Sequence, residues 1–596
     1  MRRTLGCVVL GLLVSLAGAG CGVGLPDEGP VEEAQTSGSG SRADAMAINP
    51  LGPQPGQSRS DVVKGFLDAM RATPIRDDVA RQFLAERSRS TWEPDETIVY
   101  DTASLPRPSA QAGDLVEVTL TGADRIDDRG SWQGAVTEDA AAPDDVLGPD
   151  LRFTVIDEDG QFRIDSPPDA LIVPQDWYAQ RFRQVSLFFF DPTSQVLVPD
   201  PVFVPRAADL ASTLVRRLIA GPAPELEGRA RTLIPAGADP ALSVPVSGDG
   251  LATVDLEGEV SMPGLVDRGL LVAQLAWTLR QDPSVERLSV RIDGESVIPA
   301  GQEEVGVTTG EPFAPFVADA NKLLYGLAEG VMVAGPAQDM ASVSGPFGQT
   351  DLGLRSITPD LYAAQAAGVT SDGSAVYVGP VRVAAGAEEA TPVVTGASDL
   401  LVPAWDFADR LWMVDRRADG AVVSYLREGQ IEEIVIEGVT DQDVKSFLVS
   451  RDGSRFVAVL RGANEDVIVV SRLLQDADGK VVGSLPARQV DVEGGRGLKI
   501  RDIAWLSPTS IVVLHPIDPT LFLVRSASVD GAPGGVDDLS LTLDERVVGL
   551  AGTPDPSLST YAISRVEGEV RLVDLSGPTG GDIEVAPGIT SLGYVG

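Results

Sequence analysis

The chain has 596 residues and carries 47 lysines and arginines against 87 aspartates and glutamates, so its formal net charge at pH 7 is −40. This charge opposes binding to the phosphates of nucleic acids and attachment to a membrane through a basic surface. Apolar residues make up 43% of the chain, which is enough for packed cores. At about 150 residues per domain, the length predicts roughly three or four domains. We therefore expect a multidomain globular protein with no nucleic acid among its partners.

Residues that commonly carry catalysis or bind metals are almost absent. The chain has one histidine, His515, and its two cysteines, Cys7 and Cys21, both lie near its beginning. This distribution excludes histidine-rich metal sites and an internal disulfide in the folded body. The sequence also lacks the nucleophile-elbow, zinc-protease, P-loop and dinucleotide-binding motifs. It predicts no enzyme, no metal and no cofactor, although a hydrolase that uses carboxylates alone is an open alternative.

Residues 1–20 have the pattern of a bacterial secretion signal. Arg2 and Arg3 form a short basic start, and the apolar run that follows them, TLGCVVLGLLVSLAGAG, ends in small residues. The letters before Cys21 resemble a lipobox, with the difference that Gly18 stands where leucine is usual. The resemblance implies that Cys21 is the lipidated first residue of the mature protein, as S-diacylglycerol cysteine and N-palmitoyl cysteine. Plain secretion and an uncleaved signal anchor are the alternatives.

A tether and an α+β domain are expected next. Residues 21–60 are rich in glycine, serine, proline and acidic residues, which predicts a flexible tether. Residues 61–200 begin with apolar residues at helical spacing after a predicted N-cap at Ser60: Val62, Val63, Phe66, Leu67 and Met70, then Val79, Phe83 and Leu84. Four strand-like segments follow: TIVYDTASL, DLVEVTLTG, LRFTVIDEDGQFRID and QVSLFFFDP. Helices followed by strands resemble the cone-shaped fold of the nuclear transport factor 2 (NTF2) type.

A calcium site is one possible interpretation of this domain's acidic turn. Asp157, Asp159 and Asp165 lie around the predicted hairpin of the third strand segment. The carboxylate spacing of an EF-hand is absent, so a solvated turn between two strands is the favoured interpretation.

Residues 201–300 are expected to form a second α+β domain. Leu210, Leu214 and Leu218 predict one helix, and the segment GLLVAQLAWTLRQDP predicts another. The succession LIAGP, TLIP, ATVDL, QLAWTL and SVRIDG resembles the GerMN domain of spore germination proteins and envelope lipoproteins. Gln274 lies on the otherwise apolar second helix. We interpret it as a buried amide that holds the helix by hydrogen bonds, with a ligand contact as the alternative.

Residues 301–596 show an all-β pattern. Short apolar strands alternate with Asp-Gly turns, and one phrase recurs: AAGVTSDGSAVYVG, PAWDFADRLWMVD, FLVSRDGSRFVAVL, IAWLSPTSIVVL and LAGTPDPSLSTYAIS. Its spacing of roughly 35 to 60 residues predicts a β-propeller of six or seven blades, with a pair of β-sandwiches as the alternative. The final ITSLGYVG resembles the first half of the phrase. It predicts a last blade that is completed by strands from both ends of the domain.

Four side chains of this segment are candidates for a site. His515 directly follows an apolar strand, where a catalytic or ligand-binding residue at a propeller mouth could lie. A structural histidine, hydrogen-bonded at the edge of a blade, is the favoured interpretation. Trp405, Trp412 and Trp505 are interpreted as aromatic residues that pack the blades, with a platform for stacking carbohydrate as the alternative.

The order of lipobox, tether, α+β domain, GerMN-like domain and propeller resembles the LpqB family of actinobacterial envelope lipoproteins. The resemblance implies a lipid-anchored protein at the extracytoplasmic face of the cell membrane. It also implies a non-enzymatic accessory of the MtrAB two-component system, with the extracytoplasmic domain of an MtrB-type sensor kinase as its partner. A wall-glycan-binding or glycan-cleaving protein and a scaffold for envelope assembly are the alternatives.

Overall fold

The computed structural model describes residues 49–596, except 111, 137–148, 207, 241–242, 259, 299–301, 384–388, 493–498, 534–538, 567–568, 576–581 and 586. The expected signal peptide at 1–20, Cys21 and most of the tether expected at 21–60 lie outside the described residues.

The first domain consists of helices that cover one sheet. Its helices are α1 (Arg59–Ala69), α2 (Asp78–Arg81), α3 (Glu86–Arg89) and α4 (Gln175–Arg181). Its strands are β1 (Glu96–Ala103), β2 (Arg107–Pro108), β3 (Leu115–Ile126), β4 (Trp132–Ala135), β5 (Asp150–Glu158), β6 (Gln161–Ser166) and β7 (Ala170–Pro174). The sheet order is β6-β5-β3-β1-β7, with β2 and β4 paired to β3. The buried side of α1 packs into the domain core through Val62, Val63 and Phe66.

The start of α1 corrects one expectation. Its N-cap is Ser58 and not Ser60, because Ser58 and Asp61 form a reciprocal capping box. Hydrogen bonds from Ser58 lower the pKa of Asp61. The pattern of a serine followed three residues later by an acid occurs at Ser58 and is absent at Ser60, so it could have found the cap.

The second domain begins with a hairpin. Its strands are β8 (Phe182–Phe190), β9 (Leu197–Pro205), β10 (Asp239–Pro240), β11 (Leu251–Glu257), β12 (Arg287–Ile292), β13 (Glu295–Ser296) and β14 (Val305–Gly306). Its helices are α5 (Leu210–Ile219) and α6 (Leu265–Leu279), with 3₁₀ turns at Pro224–Leu226 and Val307–Phe313. Strands β11 and β12 are parallel, as the crossover through α6 requires. The apolar side chains of β8 and β9 share one core with α5 and α6, so the expected boundary at residue 200 falls inside a strand of this core.

The third domain is a β-propeller. Blade one contains β15 (Leu324–Ala328), β16 (Val331–Gly335), β17 (Ala341–Ser342) and, from the end of the chain, β39 (Ile589–Gly593). After a short helix, α7 (Pro346–Gln349), blade two contains β18 (Leu354–Pro359), β19 (Gln365–Thr370), β20 (Ala375–Pro380) and β21 (Thr391–Thr395). Blade three contains β22 (Ala404–Trp405), β23 (Leu411–Arg417), β24 (Gly420–Arg427) and β25 (Gln430–Ile434).

The remaining three blades follow in chain order. Blade four contains β26 (Val444–Val449), β27 (Arg455–Leu460), β28 (Val467–Gln475), β29 (Val481–Ser484) and β30 (Arg488–Val490). Blade five contains β31 (Asp502–Ser507), β32 (Ser510–Pro516), β33 (Phe522–Ser528) and β34 (Ser540–Leu543). Blade six contains β35 (Val547–Ala551), β36 (Tyr561–Val566), β37 (Glu569–Asp574) and β38 (Ile583–Val585). The described residues thus form six blades, each built from antiparallel strands.

The closing strand lies where the final phrase predicts it. Strand β39 pairs antiparallel with β15 and neighbours β18 and β35, so it is the innermost strand of blade one. The phrase itself needs one correction: its first copy covers β19 and β20, the second and third strands of blade two, whereas the other copies cover first and second strands. Serine and Asp-Gly turns serve both kinds of connection, and turn chemistry therefore does not distinguish them.

Candidate functional site

The propeller has two faces that differ in their neighbours. We call "docked face" the side with the loops that join the first to the second strand and the third to the fourth strand of each blade. The "open face" carries the loops that join second to third strands and successive blades. Loops of the docked face in blades four and five contact the second domain, and the outer strand of blade four contacts the first domain.

Buried polar contacts hold the second domain on the docked face. Arg455, only 2% exposed, donates to the carbonyl of Pro199 at 2.5 Å. Arg472 forms an ion pair with Asp200, and both side chains are largely buried. Because this ion pair is shielded from water and joins two domains, the loss of either partner would leave a charge unpaired at the interface.

Another buried arginine lies at the docked end of the central channel. Arg451 donates to the carbonyls of Phe316, in the segment between the domains, and Val595, which follows β39. Burial lowers its pKa to about 10. A single side chain thus ties blade four to the start and to the closing strand of the propeller.

The open face carries one end of a cavity and exposed apolar side chains, among them Val402, Val435 and Ile517. The cavity, of about 430 Å³, runs along the innermost strands of the blades from Val402 on the open face to Arg451 at the docked end. Val402, in the loop that enters blade three, is 55% exposed, and Ile517, in a loop of blade five, is 51% exposed. Val402 lines the cavity, and exposed apolar side chains on a face that also carries charges are typical of a binding surface.

Charged side chains of the open face are held by partners within the propeller. Asp466 accepts hydrogen bonds from Lys445, Lys499 and the backbone N–H of Ile500. Burial raises the pKa of Asp466, but these three donors outweigh it and the pKa is lowered. His515, the last residue but one of β32, lies beside them, and its Nδ1 lies 3.1 Å from the carbonyl oxygen of Lys499. This contact favours the structural interpretation of the histidine.

The three tryptophans pack the blades, as expected. All three are buried, so none of them offers a stacking platform. Trp405 donates to Thr358 of the preceding blade, and Trp505 donates in the same way to Val449. Trp412 donates to Asp406, which also forms a fully buried ion pair with Arg410.

Gln274 is a structural amide. It is fully buried; its oxygen accepts from the N–H of Leu233 at 2.9 Å and its nitrogen donates to the carbonyl of Phe188 at 2.8 Å. Both partners belong to the same domain, so the amide joins α6 to the β8 hairpin and to the segment after α5.

The acidic turn of the first domain is a solvated hairpin turn. Asp159 and Gly160 both have positive φ, which suits a two-residue hairpin turn, and Asp157 accepts from the N–H of Gly160. Asp165 pairs with Arg87. Among the described residues, no group of three or more histidine, cysteine, aspartate or glutamate side chains is placed to hold a metal ion.

The buried arginines were missed at the sequence level. Arg410 and Arg455 each stand at the start of an apolar second strand, in RLWMV and RFVAV. A charged residue at the same place of two repeats is a usable signal, because a charge is buried only where it has partners.

Three family models match the chain in succession. They are described as "Lipoprotein LpqB, N-terminal domain" over residues 52–179, "Sporulation and spore germination" over 186–298, and "Lipoprotein LpqB beta-propeller domain" over 330–536. The fold and these matches define a class of multidomain protein that joins a GerMN-like domain to a C-terminal propeller.

Relatives along nearly the full length make the assignment specific. The Lipoprotein LpqB of Thermobifida fusca (strain YX) is 26% identical and is aligned over 91% of this chain and 94% of its own. That of Mycolicibacterium smegmatis is also 26% identical, with 92% of each chain aligned. This chain belongs to the lipoprotein LpqB family, and the family implies association with the cell envelope.

One solved structure and one property of the helices complete the description. The first GerMN domain of the sporulation protein GerM from Bacillus subtilis is 22% identical, with a TM-score of 0.18, and the match covers 21% of this chain and 97% of that domain. In the described part of the chain, no helix combines the length and the apolar character that crossing a bilayer requires.

Proposed function

We propose that this protein is a lipid-anchored, non-enzymatic accessory of an MtrB-type sensor kinase, whose output it modulates from the extracytoplasmic face of the cell membrane. The anchor is Cys21, as S-diacylglycerol and N-palmitoyl cysteine. Membership of a lipoprotein family supports the anchor, and the lipobox resemblance supports the residue. Two or more acyl chains hold a protein stably at a bilayer.

The open face of the propeller carries this proposal. The second domain occupies part of the docked face, whereas the open face exposes Val402, which lines the central cavity, and Ile517, in a loop of blade five. We assign the kinase contact to this open face. A lipid anchor confines both partners to one membrane and raises their effective concentration, so a weak contact suffices.

Electrostatics add a condition on the partner. With a net charge of −40, the protein favours a basic surface on the kinase ectodomain, and binding weakens as salt screens the attraction.

Two structural expectations belong to the same proposal. We infer an NTF2-type cone for the first domain, which the packing of α1 on the sheet supports. We also infer that this domain ends near residue 181, because the following hairpin packs into the second core.

Kinase autophosphorylation in reconstituted membranes tests the function. We expect the lipidated protein to change the rate of phosphorylation, and the double variant Val402→Asp and Ile517→Asp to lose this effect. The matched control is Ile431→Asp with Val482→Asp, which changes apolar residues exposed to 44% and 48% on outer strands of blades three and four. Binding is measured in parallel at two salt concentrations.

The outcomes separate the candidates. An equal loss in both double variants contradicts the open-face contact. If the protein neither binds the kinase nor changes its phosphorylation, but binds or cleaves wall glycan, the glycan alternative replaces the kinase proposal.

The lipid anchor has its own test. We expect mass spectrometry of the mature N-terminal peptide to show an acylated Cys21, and Cys21→Ser to release the protein from membranes.

A further inference from the structure

A small cavity lies where the three domains meet. Its volume is about 100 Å³, and its walls include Ser131 and Trp132 of the first domain, Asp200 and Pro201 of the second, and Arg472 of the propeller. Because a water molecule takes about 30 Å³ in the liquid, this space suits about three waters or one tetrahedral oxyanion.

The charged side chains around this junction cavity carry an excess of one positive charge, and Arg472 and Asp200 among them form an ion pair. Three arginines, Arg455, Arg472 and Arg488, line it together with two aspartates, Asp200 and Asp530. In the whole chain the proportion is reversed, at 47 basic to 87 acidic residues. Burial raises the pKa of Asp530, against hydrogen bonds from Ser528, Ala532 and Gln184 that lower it.

Arg455 is the most deeply buried of these cations. Its hydrogen bonds go to the carbonyl of Pro199 and to the Oγ of Ser454, both uncharged, and the carboxylates of Asp452, Asp200 and Asp530 lie near enough to act on its pKa in the raising direction. Burial lowers the pKa of Arg455 to about 10, which reflects the cost of holding a cation away from water. An anion in the adjoining space would offset this cost, and guanidinium groups bind phosphate and sulfate oxygens in pairs of hydrogen bonds.

A serine on the wall, Ser131, has a hydroxyl with unused hydrogen-bonding capacity. Within the described part of the chain, the Oγ of Ser131 is buried and has no hydrogen-bond partner. A hydroxyl donates readily to an anionic oxygen, and a buried one without a partner is costly.

We propose that the junction cavity binds one small tetrahedral oxyanion, phosphate or sulfate, held by the arginines of the propeller and the hydroxyl of Ser131. Since all three domains contribute to the walls, the bound ion stabilises their mutual docking. The free energy of this stabilisation grows with ion concentration above the dissociation constant, as for any ligand of the folded state alone.

Calorimetric titration of the full-length protein in detergent with phosphate, sulfate and acetate tests the proposal. We expect one site per chain for phosphate or sulfate and weaker or no binding of acetate, together with a higher melting temperature. Ser131→Ala is expected to weaken binding by about tenfold, the value of a hydrogen bond to a charged group, and Arg488→Gln at least as much.

The control is Ser356→Ala, which removes another buried hydroxyl without a partner, in blade two and away from the cavity. It should leave oxyanion binding unchanged. Without the anion, Ser131→Ala should melt at the wild-type temperature or above it, so loss of binding cannot be ascribed to misfolding. The proposal is overturned if wild-type protein shows no saturable heat with phosphate or sulfate, or if Ser131→Ala and Arg488→Gln bind as tightly as Ser356→Ala.

Discussion

At the scale of single residues, Gln274 shows how one buried amide can set the position of a helix. Its replacement by methionine would keep the length of the side chain and leave the N–H of Leu233 and the carbonyl of Phe188 without partners. Each unsatisfied buried group costs about 1–3 kcal/mol, so we expect Gln274→Met to lower the free energy of unfolding of the second domain by about 2–4 kcal/mol. Denaturant unfolding, with hydrogen exchange at Leu233, measures the loss. Gln442→Met, at an exposed position, should be neutral, and equal effects of the two changes would contradict the interpretation.

Asp124 makes stability depend on pH. Burial, and next the charges of Asp491 and Asp101, raise its pKa from 3.8 to about 6. The folded state therefore binds this proton more tightly than the unfolded state, and the contribution of Asp124 to stability falls as pH rises from about 4 to about 6.

The test is a comparison of melting temperatures. We expect Asp124→Asn to melt above the wild-type protein at pH 8, with the difference shrinking towards pH 4, where the carboxyl is protonated. Asp114→Asn, at an exposed position of the same domain, should show no such trend. A difference that is constant between pH 4 and pH 8 would refute the assignment to Asp124.

At the scale of elements, the closing strand β39 determines whether the propeller holds together. An added Cβ at Gly326, on the neighbouring strand β15, would lie 2.9 Å from a methyl carbon of Ile589 and 3.1 Å from the carbonyl of Thr590. We expect Gly326→Val to push β39 away and to destabilise the propeller by about 1–3 kcal/mol, as overpacking does. Thermal unfolding measures this. Gly483→Val is the control, because a Cβ at Gly483 meets nothing within 4 Å.

Deletion of residues 589–596 extends the test. It removes the innermost strand of blade one and the carbonyl of Val595 that Arg451 needs. We expect a much larger fall in the melting temperature than with Gly326→Val, because the free edge of β15 is then exposed. A deleted chain that melts like the wild type would mean that β39 does not close the propeller.

Elements were predicted best where the pattern is local. Helices α5 and α6 follow from the spacing of apolar residues. The closing strand β39 follows from the repeated pattern of strands and turns in the propeller. The expected second helix of the first domain is reduced to α2, four residues long, and Phe83 and Leu84 are buried after it. Apolar spacing indicates which residues are buried, whereas the length of the helix depends on what packs against them.

At the scale of the whole molecule, the pair of Asp200 and Arg472 joins the second domain to blade four. Asp200→Ala would leave the guanidinium of Arg472 unpaired in a largely buried interface. We expect this change to weaken docking by about 2–4 kcal/mol, somewhat less than the about 3–5 kcal/mol of a fully buried pair because the two side chains remain 20% and 10% exposed. Small-angle scattering and limited proteolysis between residues 302 and 323 measure the release of the domain.

An exposed pair of the same blade provides the control. Asp443 and Arg461 lie on the open face with side chains 60% and 51% exposed, so Asp443→Ala should cost less than about 1 kcal/mol and leave docking intact. The reversed pair, Asp200→Arg with Arg472→Asp, should restore part of the docking. Equal proteolysis of all these variants would mean that the ion pair does not hold the domains.

The sequence by itself determined the order of the domains, most of their elements and the burial of Gln274 and the tryptophans, because spacing, turn chemistry and apolar pattern are local properties. Only the tertiary structure decided that the hairpin of β8 and β9 packs into the second core, that Arg455 meets the carbonyl of Pro199, and that three domains enclose a cavity. Asp200 and Arg472 are separated by 272 residues. Among 87 acidic and 47 basic residues, no local pattern selects that pair, since the choice depends on which surfaces the folded domains bring together.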